Sequence, residues 1–242
     1  MQPQDYIDYA SSISIEPFND PRLFLTAFTH RSYLNEHRKS AFEHNERLEF
    51  LGDAVLELVV TEYLYANFDQ PEGVLTNWRA ALVRTESIGA AAQRLGFADY
   101  LRLSRGEKRG SDRARDQILA NTFEAVIGAI HLDQGYDAAA KFIDANILST
   151  LEQILKTGSW LDAKTRLQEY IQSEEGVTPQ YKVMEEDGPD HDKVFVVGVY
   201  TDGKLRGKGS GHSKQSAQQS AAEDALSKTD VAAPDVPNKE QA

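Results

Sequence analysis

Cysteine is absent from this chain of 242 residues. Without cysteine the protein can form neither a disulfide bond nor a zinc site built on thiolates, and the composition fits a reducing compartment. Long hydrophobic runs are also missing, so we expect no transmembrane helix. The N-terminal residues MQPQDYIDYASS contain neither the basic segment nor the apolar segment of a secretory signal. These absences predict a cytoplasmic protein with no membrane partner.

Positive charge is in short supply. Lysine and arginine number 26 against 38 acidic residues, which gives a net charge of −12. Such a balance at first argues against a nucleic-acid partner, but phosphate contacts are local and screening is short-ranged. Two segments, 102–115 and 204–214, concentrate basic residues. The charge pattern therefore leaves a nucleic-acid partner open.

The first part of the chain shows the apolar spacing of helices almost throughout. Residues at i, i+3 and i+4 repeat over 23–32, 47–67, 73–95, 116–133 and 136–155, with Gly, Pro and Asn between these segments. No segment here alternates like a strand. The pattern predicts an all-α domain over residues 1–156, followed by a flexible linker at 157–161.

The remainder predicts a small α+β domain over residues 162–228. A helix at 164–172, preceded by the N-cap candidate Asp162, is followed by alternating segments at 180–184, 194–200 and 205–210 and a helix at 214–227. Asp202-Gly203 is a strong hairpin signal. Alanines spaced four apart in the last helix favour close packing on a sheet. The tail, 229–242, has two prolines and little apolar content, and we expect it to be disordered.

Three carboxylates share one stripe of the segment 44–65, which has the pattern of a single helix. Glu46, Glu49 and Asp53 stand at positions i, i+3 and i+7. The residues between them are mostly apolar, and a second apolar segment carries Asn121 and Glu124 at i and i+3. Acids on buried helices are costly unless their desolvation is compensated, commonly by a divalent cation. The pattern suggests a metal site between the two helices.

These segments also carry a family resemblance. HNERLEFLGDAVL, at 44–56, resembles the signature of the ribonuclease III family, and the likeness extends to AFTHRSYLNE upstream and ILANTFEAVIGAIHLD downstream. GKGSGHSKQSAQQSAAEDAL, at 207–226, resembles a double-stranded-RNA-binding domain. The likeness runs from about residue 18 to residue 228, in the order found in bacterial ribonuclease III. It implies an all-α nuclease domain followed by an α-β-β-β-α RNA-binding domain.

The resemblance implies a homodimeric, Mg²⁺-dependent endoribonuclease that cuts double-stranded RNA. Its products would carry 5′-phosphates and short 3′ overhangs, and its substrates would be ribosomal RNA precursors and structured messenger RNAs. Mn²⁺ is expected to substitute for Mg²⁺, and no nucleotide cofactor is expected.

The family's metal ligands match Glu49, Asp53, Asn121 and Glu124, and the positions essential for cleavage match Asp53 and Glu124. Asn121 stands where the family more often has Asp. An amide oxygen can bind a hard cation but brings no negative charge, so the resemblance predicts a weaker second-metal site or a higher Mg²⁺ requirement. Outside the family, Glu49 would be interpreted as part of a solvated helix face.

Three further residues are assigned by the resemblance. Glu46 belongs with the acids that serve the RNA strand, Glu72 matches an acid near the RNA-facing side of the cleft, and Phe50 matches a residue that enters the partner subunit. The simpler interpretations are a solvated helix face for Glu46, a loop or cap residue for Glu72 and a core residue for Phe50. His30 and Arg31 are expected to form hydrogen bonds within the fold.

The RNA-binding module of this family recognises A-form geometry through two minor grooves and the phosphates between them. Residues in its first helix, in the first strand loop and at the start of its last helix match the family's contacts. They are Thr165, Gln168, Glu169, His191, Ser213 and Lys214. Gln215 stands where the family commonly has another basic residue, so we expect weaker, more salt-sensitive binding. The alternative for 204–214 is a solvated turn.

Two other functions remain open from the sequence. A non-catalytic double-stranded-RNA-binding protein is suggested by Asn121, although the four acids Glu46, Glu49, Asp53 and Glu124 argue against it. A metal phosphohydrolase acting on another substrate is opposed by the RNA-binding module.

Overall fold

The computed structural model describes residues 3–37, 43–160, 162–189 and 193–229. The chain divides into two compact units, with the division between Gln153 and Ile154. The predicted order is confirmed, since an all-α region is followed by an α-β-β-β-α region. The predicted domain limits, the linker at 157–161 and the disordered tail stay predictions, and residues 230–242 lie outside the described part of the chain.

The described residues of the first unit form helices joined by short loops and 3₁₀ turns. The helices are α1 (Pro3–Ser12), α2 (Pro21–Ala27), α3 (Arg31–Glu36), α4 (Glu46–Asn67), α5 (Glu72–Val83), α6 (Thr85–Arg94), α7 (Asp112–Gln134) and α8 (Tyr136–Asn146), with α9 (Leu151–Thr157) crossing the division. None of the described helices is long and apolar enough to cross a membrane.

Three segments predicted as single helices are each divided in the structure. The segment 23–32 breaks at Thr29 and His30. Thr29 forms a β-bridge with Arg102, and the backbone of His30 is extended, so that its side chain caps α3. The segment 73–95 breaks at Arg84, whose ψ of 152° is extended, and the segment 136–155 breaks at a 3₁₀ turn over Leu148–Thr150. Apolar periodicity continues through each break, which is why the sequence did not show them.

Helix α1 was not predicted, because its sequence is polar and acidic. Its two tyrosines hold it in place: Tyr6 donates a hydrogen bond to the carbonyl of Tyr100, and Tyr9 stacks on the Tyr100 ring with 3.6 Å between centroids. Both rings also pack against Phe28. Aromatic contacts with distant residues therefore stabilise a helix whose own pattern is weak.

Helix α7 is the centre of the first unit. Most of its residues from Ile118 to Ile130 are buried, and it packs along α4, α6 and α8. Helix α4 adds Leu56, Val60 and Leu64 to the same core. The central position of α7 explains why its segment from Ile118 to Ile130 is apolar on nearly all sides.

The second unit is an antiparallel three-stranded sheet with helices packed on it. Its elements are α10 (Ala163–Glu175), β1 (Gln180–Asp187), β2 (Val194–Thr201), β3 (Lys204–Gly211) and α11 (Lys214–Leu226), with strand order β1-β2-β3. Asp162 caps α10 as predicted, since its side chain accepts a hydrogen bond from the amide of Thr165. Asp202 and Gly203 form the predicted hairpin turn, with φ of 48° and 75°.

The alanine stripe of α11 lies directly against glycines of β3, as predicted. A Cβ atom at Gly207 would lie 2.4 Å from the carbonyl oxygen of Ala221, and one at Gly209 would lie 2.1 Å from its amide nitrogen. Ala217 and Ala225 are buried in the same contact. The small residues on both sides let the helix backbone approach the strand.

Candidate active site

Helices α4 and α7 touch through their backbones at two glycines. A Cβ atom at Gly52 would lie 1.7 Å from the carbonyl oxygen of Glu124, and one at Gly128 would lie 2.3 Å from the carbonyl oxygen of Leu48. Any larger residue would push the helices apart. The crossing therefore holds the part of α4 between Glu49 and Asp53 directly against the turn of α7 that contains Glu124.

The start of α4 is anchored to the segment between α2 and α3. Asn45 is buried. Its backbone N–H donates a hydrogen bond to the carbonyl oxygen of Thr29, and its side-chain Nδ2 donates one to the carbonyl oxygen of Ala27. Glu46 follows as the first residue of α4. Its carboxylate lies 3.3 Å from Nη1 of Arg31 and 3.7 Å from Nδ1 of His44. These contacts fix the direction in which α4 begins.

Four carboxylates interact at the crossing of α4 and α7. Burial raises the pKa of Glu49, and the charges of Glu46 and Asp53 raise it further, against a hydrogen bond from Asn121 that lowers it. Burial and the charges of Asp53 and Glu49 raise the pKa of Glu124 to about 8. The electrostatic coupling shows that the predicted acids of α4 and α7 face a common space. Together they concentrate negative charge there.

Asn121 lies between Glu49 and Gln117. The Oδ1 of Asn121 accepts a 2.7 Å hydrogen bond from Nε2 of Gln117, and the side chain of Asn121 lowers the pKa of the Glu49 carboxyl. Asn121 thus belongs to the carboxylate cluster in space, as the sequence predicts. Its role as a metal ligand stays a prediction.

The donor set suits a hard divalent cation. Glu49, Asp53 and Glu124 supply carboxylate oxygens, which Mg²⁺ and Mn²⁺ prefer, and a cation would offset the repulsion that raises the pKa of Glu124. Among the residues that the structure describes, no group of three or more His, Asp or Glu side chains is arranged to hold an ion. The residue types therefore fit a divalent cation, while the arrangement of the described side chains is not that of a formed ion site.

Two predicted site residues lie apart from this cluster. Glu72 is the exposed first residue of α5 and borders a cavity of about 600 Å³ that is also lined by Tyr65 and Arg79. Helix α4 ends 14 residues after Asp53, which corresponds to about 20 Å along the helix axis. Glu72 therefore does not join the carboxylates of its own chain.

Phe50 has an exposed side chain, with 81% of its surface accessible to solvent. Its interpretation as a core residue is therefore wrong for the single chain. Next to it lies a cavity of about 780 Å³ that is lined partly by Leu23, Leu51 and Leu132. A protruding aromatic ring and an apolar cavity thus lie on the same face.

The predicted RNA-contacting elements of the second unit are neighbours. Lys164, beside Thr165 in α10, donates a 2.8 Å hydrogen bond to Gln218 of α11. Lys214, at the start of α11, lies 3.4 Å from Glu186 near the end of β1. The start of α11 therefore lies between α10 and the end of β1.

The residues predicted to contact RNA differ in whether their side chains are exposed or already form hydrogen bonds within the unit. Gln168 and Glu169 are exposed on α10, while the Thr165 hydroxyl donates to Asp162. Ser213 caps α11 by accepting a hydrogen bond from the amide of Ser216. His191 lies outside the described residues.

The sequence analysis missed four residues that build the site: Asn45, Gly52, Gln117 and Gly128. Gly52 and Gly128 are glycines inside long apolar helices, and such glycines usually have a packing reason. Gln117 and Asn121 are spaced i, i+4, at which glutamine and asparagine side chains on a helix can form a hydrogen bond. The anchoring role of Asn45 depends on distant backbone and has no local signal.

Comparisons with known proteins agree with this architecture. A family model described as Ribonuclease-III-like matches residues 20–151, and the double-stranded RNA binding motif matches residues 163–229. Ribonuclease 3 of Lactiplantibacillus plantarum is 45% identical over 211 residues, covering 87% of this chain and 91% of the relative. Ribonuclease 3 of Enterococcus faecalis is 46% identical over 213 residues, covering 86% and 91%.

A solved structure resembles the first unit. The nuclease domain of ribonuclease III from Campylobacter jejuni, which has a region involved in dimer formation, aligns with a TM-score of 0.50 and 38% identity. The match covers 58% of this chain and 96% of that domain. The sequence matches, the helical unit with its carboxylate cluster and the RNA-binding unit agree, and the chain belongs to the ribonuclease III family of metal-dependent endoribonucleases that act on double-stranded RNA.

Proposed function

We propose that this chain is a Mg²⁺-dependent endoribonuclease whose cleavage site is the carboxylate cluster at the crossing of α4 and α7. The observation that carries the proposal is the backbone contact of Gly52 with Glu124, because it brings Glu49, Asp53 and Glu124 onto one space. Burial and the neighbouring carboxylates raise the pKa values of Glu49 and Glu124, and a bound divalent cation would offset both effects.

In the proposed site, Glu49, Asp53 and Glu124 hold Mg²⁺, with Mn²⁺ able to replace it, and Asp53 and Glu124 are essential for cleavage. A bound metal supplies an activated water and neutralises charge on the leaving oxygen. Glu124 must lose its proton to act as a ligand, and its neighbours Asp53 and Glu49 oppose that loss. Metal binding and proton release at Glu124 are therefore coupled.

The second unit holds the duplex in this proposal. Lys214 and Ser213 stand at the start of α11, where the helix dipole favours a phosphate. Gln168 and Glu169 lie exposed on α10, where they would face a minor groove. Glu46 and Glu72 are placed on the RNA-facing side of the first unit. Because Lys214 is paired with Glu186, phosphate must compete with a carboxylate, which supports salt-sensitive binding.

Two copies of the chain associate in the proposed enzyme, with Phe50 at their interface. Phe50, Leu58 and Tyr65 are all exposed on α4, and exposed apolar residues that gather on one element mark an interaction surface. A ring and an apolar cavity on one face suit a two-fold interface, in which each copy supplies both. The Campylobacter relative, with its region involved in dimer formation, gives further support.

The finer assignments complete the proposal. Products with 5′-phosphates and short 3′ overhangs follow from the family resemblance, as do ribosomal RNA precursors and structured messenger RNAs as substrates. A cytoplasmic location fits the absence of cysteine.

The direct test is incubation of the purified chain with a labelled RNA duplex longer than about 20 base pairs, since the RNA-binding module alone spans about 16. Single-stranded RNA and duplex DNA serve as controls, each with Mg²⁺ and with chelator. We expect cutting of the RNA duplex alone, and only with metal. Binding without cutting would contradict the proposed activity.

The interface is tested separately with Phe50→Ala, measured by sedimentation against the unaltered chain. We expect the variant to dissociate at protein concentrations at which the unaltered chain remains dimeric. Leu205→Ala, at an exposed apolar position of the second unit, serves as the control. Equal dissociation of the two variants would contradict the role of Phe50.

A further inference from the structure

Helix α10 begins with backbone N–H groups that need partners outside the helix, because the first four N–H groups of a helix have no acceptor within it. Asp162 accepts a 3.0 Å hydrogen bond from the N–H of Thr165. The N–H of Lys164 donates a 3.2 Å hydrogen bond to the side-chain Oε1 of Gln219, which belongs to α11. The start of α10 is therefore capped partly by the other helix of the unit.

The side chain of Lys164 makes a second connection to α11. Its Nζ donates a 2.8 Å hydrogen bond to Oε1 of Gln218 and lies 5.3 Å from the centre of the Tyr181 ring on β1. Lys164 is half-buried, whereas most lysines are exposed. One residue thus joins α10 both to α11 and to the sheet.

These connections link the two helices that the proposed function assigns to different parts of the duplex. Lys164 is one turn before Gln168 on α10, and Gln218 is one turn after Lys214 on α11. In that proposal α10 faces a minor groove, where 2′-hydroxyls distinguish RNA from DNA, while the start of α11 faces phosphates, which both duplexes carry. The geometry of A-form RNA fixes the distance between groove and phosphates. Both contacts form together only if α10 and α11 keep a matching distance.

We infer that Lys164 is a positioning residue for duplex recognition, which sets the distance between α10 and the start of α11 and so lets the unit distinguish RNA from DNA. The inference rests on the proposed duplex binding by the second unit. The hydrogen bond from Lys164 to Gln218 is charge-assisted and half-buried, which strengthens it. Ala163 and Leu167 of α10 share a core with Ala221 of α11, so we expect the unit to stay folded without this bond.

The test is binding of the full-length protein to an RNA duplex and a DNA duplex of equal sequence, each longer than about 20 base pairs. Chelator prevents cutting, and filter binding at several salt concentrations gives the affinities and their salt dependence. Lys164→Met keeps an unbranched stem beside Tyr181 and removes the ammonium group. We expect RNA binding to weaken by about fivefold, the effect of one lost hydrogen bond. DNA binding and the salt slope of RNA binding should stay unchanged.

A second substitution breaks the same bond from its other end. Gln218→Ala removes the acceptor and changes no charge. It should weaken RNA binding as much as Lys164→Met does, and the double variant should bind no more weakly than either single variant, because both substitutions remove one interaction.

Lys182→Met is the matched control. The Nζ of Lys182 also lies near a ring, 5.4 Å from the centre of Tyr200, but Lys182 is exposed on β1. The substitution removes the same charge, and we expect the ratio of RNA affinity to DNA affinity to stay that of the unaltered chain.

The outcomes separate this inference from the proposed function. Weaker binding to RNA alone, shared by Lys164→Met and Gln218→Ala, supports the inference. Unchanged RNA binding in Lys164→Met, or equal weakening toward both duplexes, overturns it and leaves the proposed function standing. In the second case, a salt slope reduced by about 1 would identify Lys164 as a phosphate contact. An unaltered chain that bound neither duplex, or both equally, would contradict the proposed function and, with it, this inference.

Discussion

Helices α4 and α7 of the first unit meet at Gly52 and Gly128, and in the second unit strand β3 meets α11 at Gly207 and Gly209. Glycine serves the same purpose in both places, since it lets two backbones approach closely. The surroundings differ. At the first contact, burial and the charges of Asp53 and Glu49 raise the pKa of Glu124, while basic residues of the second unit form ion pairs with acids.

The ion pairs of the second unit join its basic residues to nearby acids. They are Lys193–Glu186, Lys214–Glu186, Lys208–Glu185, Arg206–Glu175 and Lys228–Asp224. A lysine or arginine that already contacts a carboxylate binds phosphate in competition with that carboxylate. A unit that concentrates negative charge gains a cation more readily. Both units thus use glycine for close packing. They differ in their charges, which suit a metal ion in the first unit and the phosphates of a duplex in the second.

The largest expected effect breaks the glycine contact of the first unit. Gly52→Ala places a methyl group against the backbone of Glu124, which no side-chain rotation can relieve. We expect a loss of about 3 kcal/mol or more in the free energy of unfolding, together with loss of cleavage. Chemical denaturation measures the first effect and a duplex-cutting assay the second.

Gly73→Ala is the matched control, because a Cβ atom at Gly73 has no neighbour within 4 Å. It should stabilise the chain by about 0.5 kcal/mol, since alanine loses less backbone freedom on folding. Equal destabilisation by the two substitutions would show that the crossing of α4 and α7 is not the sensitive contact.

A smaller effect concerns the excess negative charge of the first unit. The pKa of Glu124 is raised from an ordinary 4.5 to about 8, so the native state holds a proton that the unfolded chain has released. The stability associated with this proton is present below pH 4.5 and is lost as the pH rises toward 8. In chelator, Glu124→Gln should therefore melt increasingly above the unaltered chain between pH 5 and about 8.

Melting temperatures across this pH range, with and without Mg²⁺, provide the measurement. Mg²⁺ should reduce the advantage of Glu124→Gln, because the metal offsets the same repulsion. Glu86→Gln, at an exposed position on α6, serves as the control and should not gain on the unaltered chain in this way. A constant difference for Glu124→Gln would contradict the assigned repulsion.

The smallest expected effect concerns the paired charges of the second unit. Lys214→Ala should weaken duplex binding by about fivefold and reduce the slope of log affinity against log salt by about 1. Lys228→Ala, at the other end of α11, removes an ion-paired lysine away from the predicted contact and should change neither quantity. Filter binding at several salt concentrations distinguishes them, and equal slopes for both variants would exclude Lys214 as a phosphate contact.

The fold could be predicted from the sequence where local signals were strong. The order of elements, the cap at Asp162, the Asp202-Gly203 turn and the alanine face of α11 were correct, because each depends on neighbouring residues. The extended residue Arg84 and helix α1 were missed, because distant contacts override the local pattern in both. The apolar periodicity also continues through the breaks in the three divided segments, so the sequence gives no signal of where a helix ends.

The site could be predicted only as a set of acids. The spacing of Glu49 and Asp53 placed them on one stripe, a second apolar segment supplied Glu124, and the family resemblance gave these residues their roles. The glycine contact that joins the helices, and the direction of the Gln117–Asn121 hydrogen bond, require coordinates, because they join atoms whose separation the sequence does not give.

The measurement that tests the central claim most directly is the Glu124→Gln variant assayed with an RNA duplex in Mg²⁺, for cleavage and for binding. The substitution keeps the shape of the side chain and removes its charge. We predict a loss of cleavage of at least about 100-fold, with duplex binding unchanged because the second unit is untouched. A variant that still cuts at the normal rate would contradict the assignment of the active site to the crossing of α4 and α7.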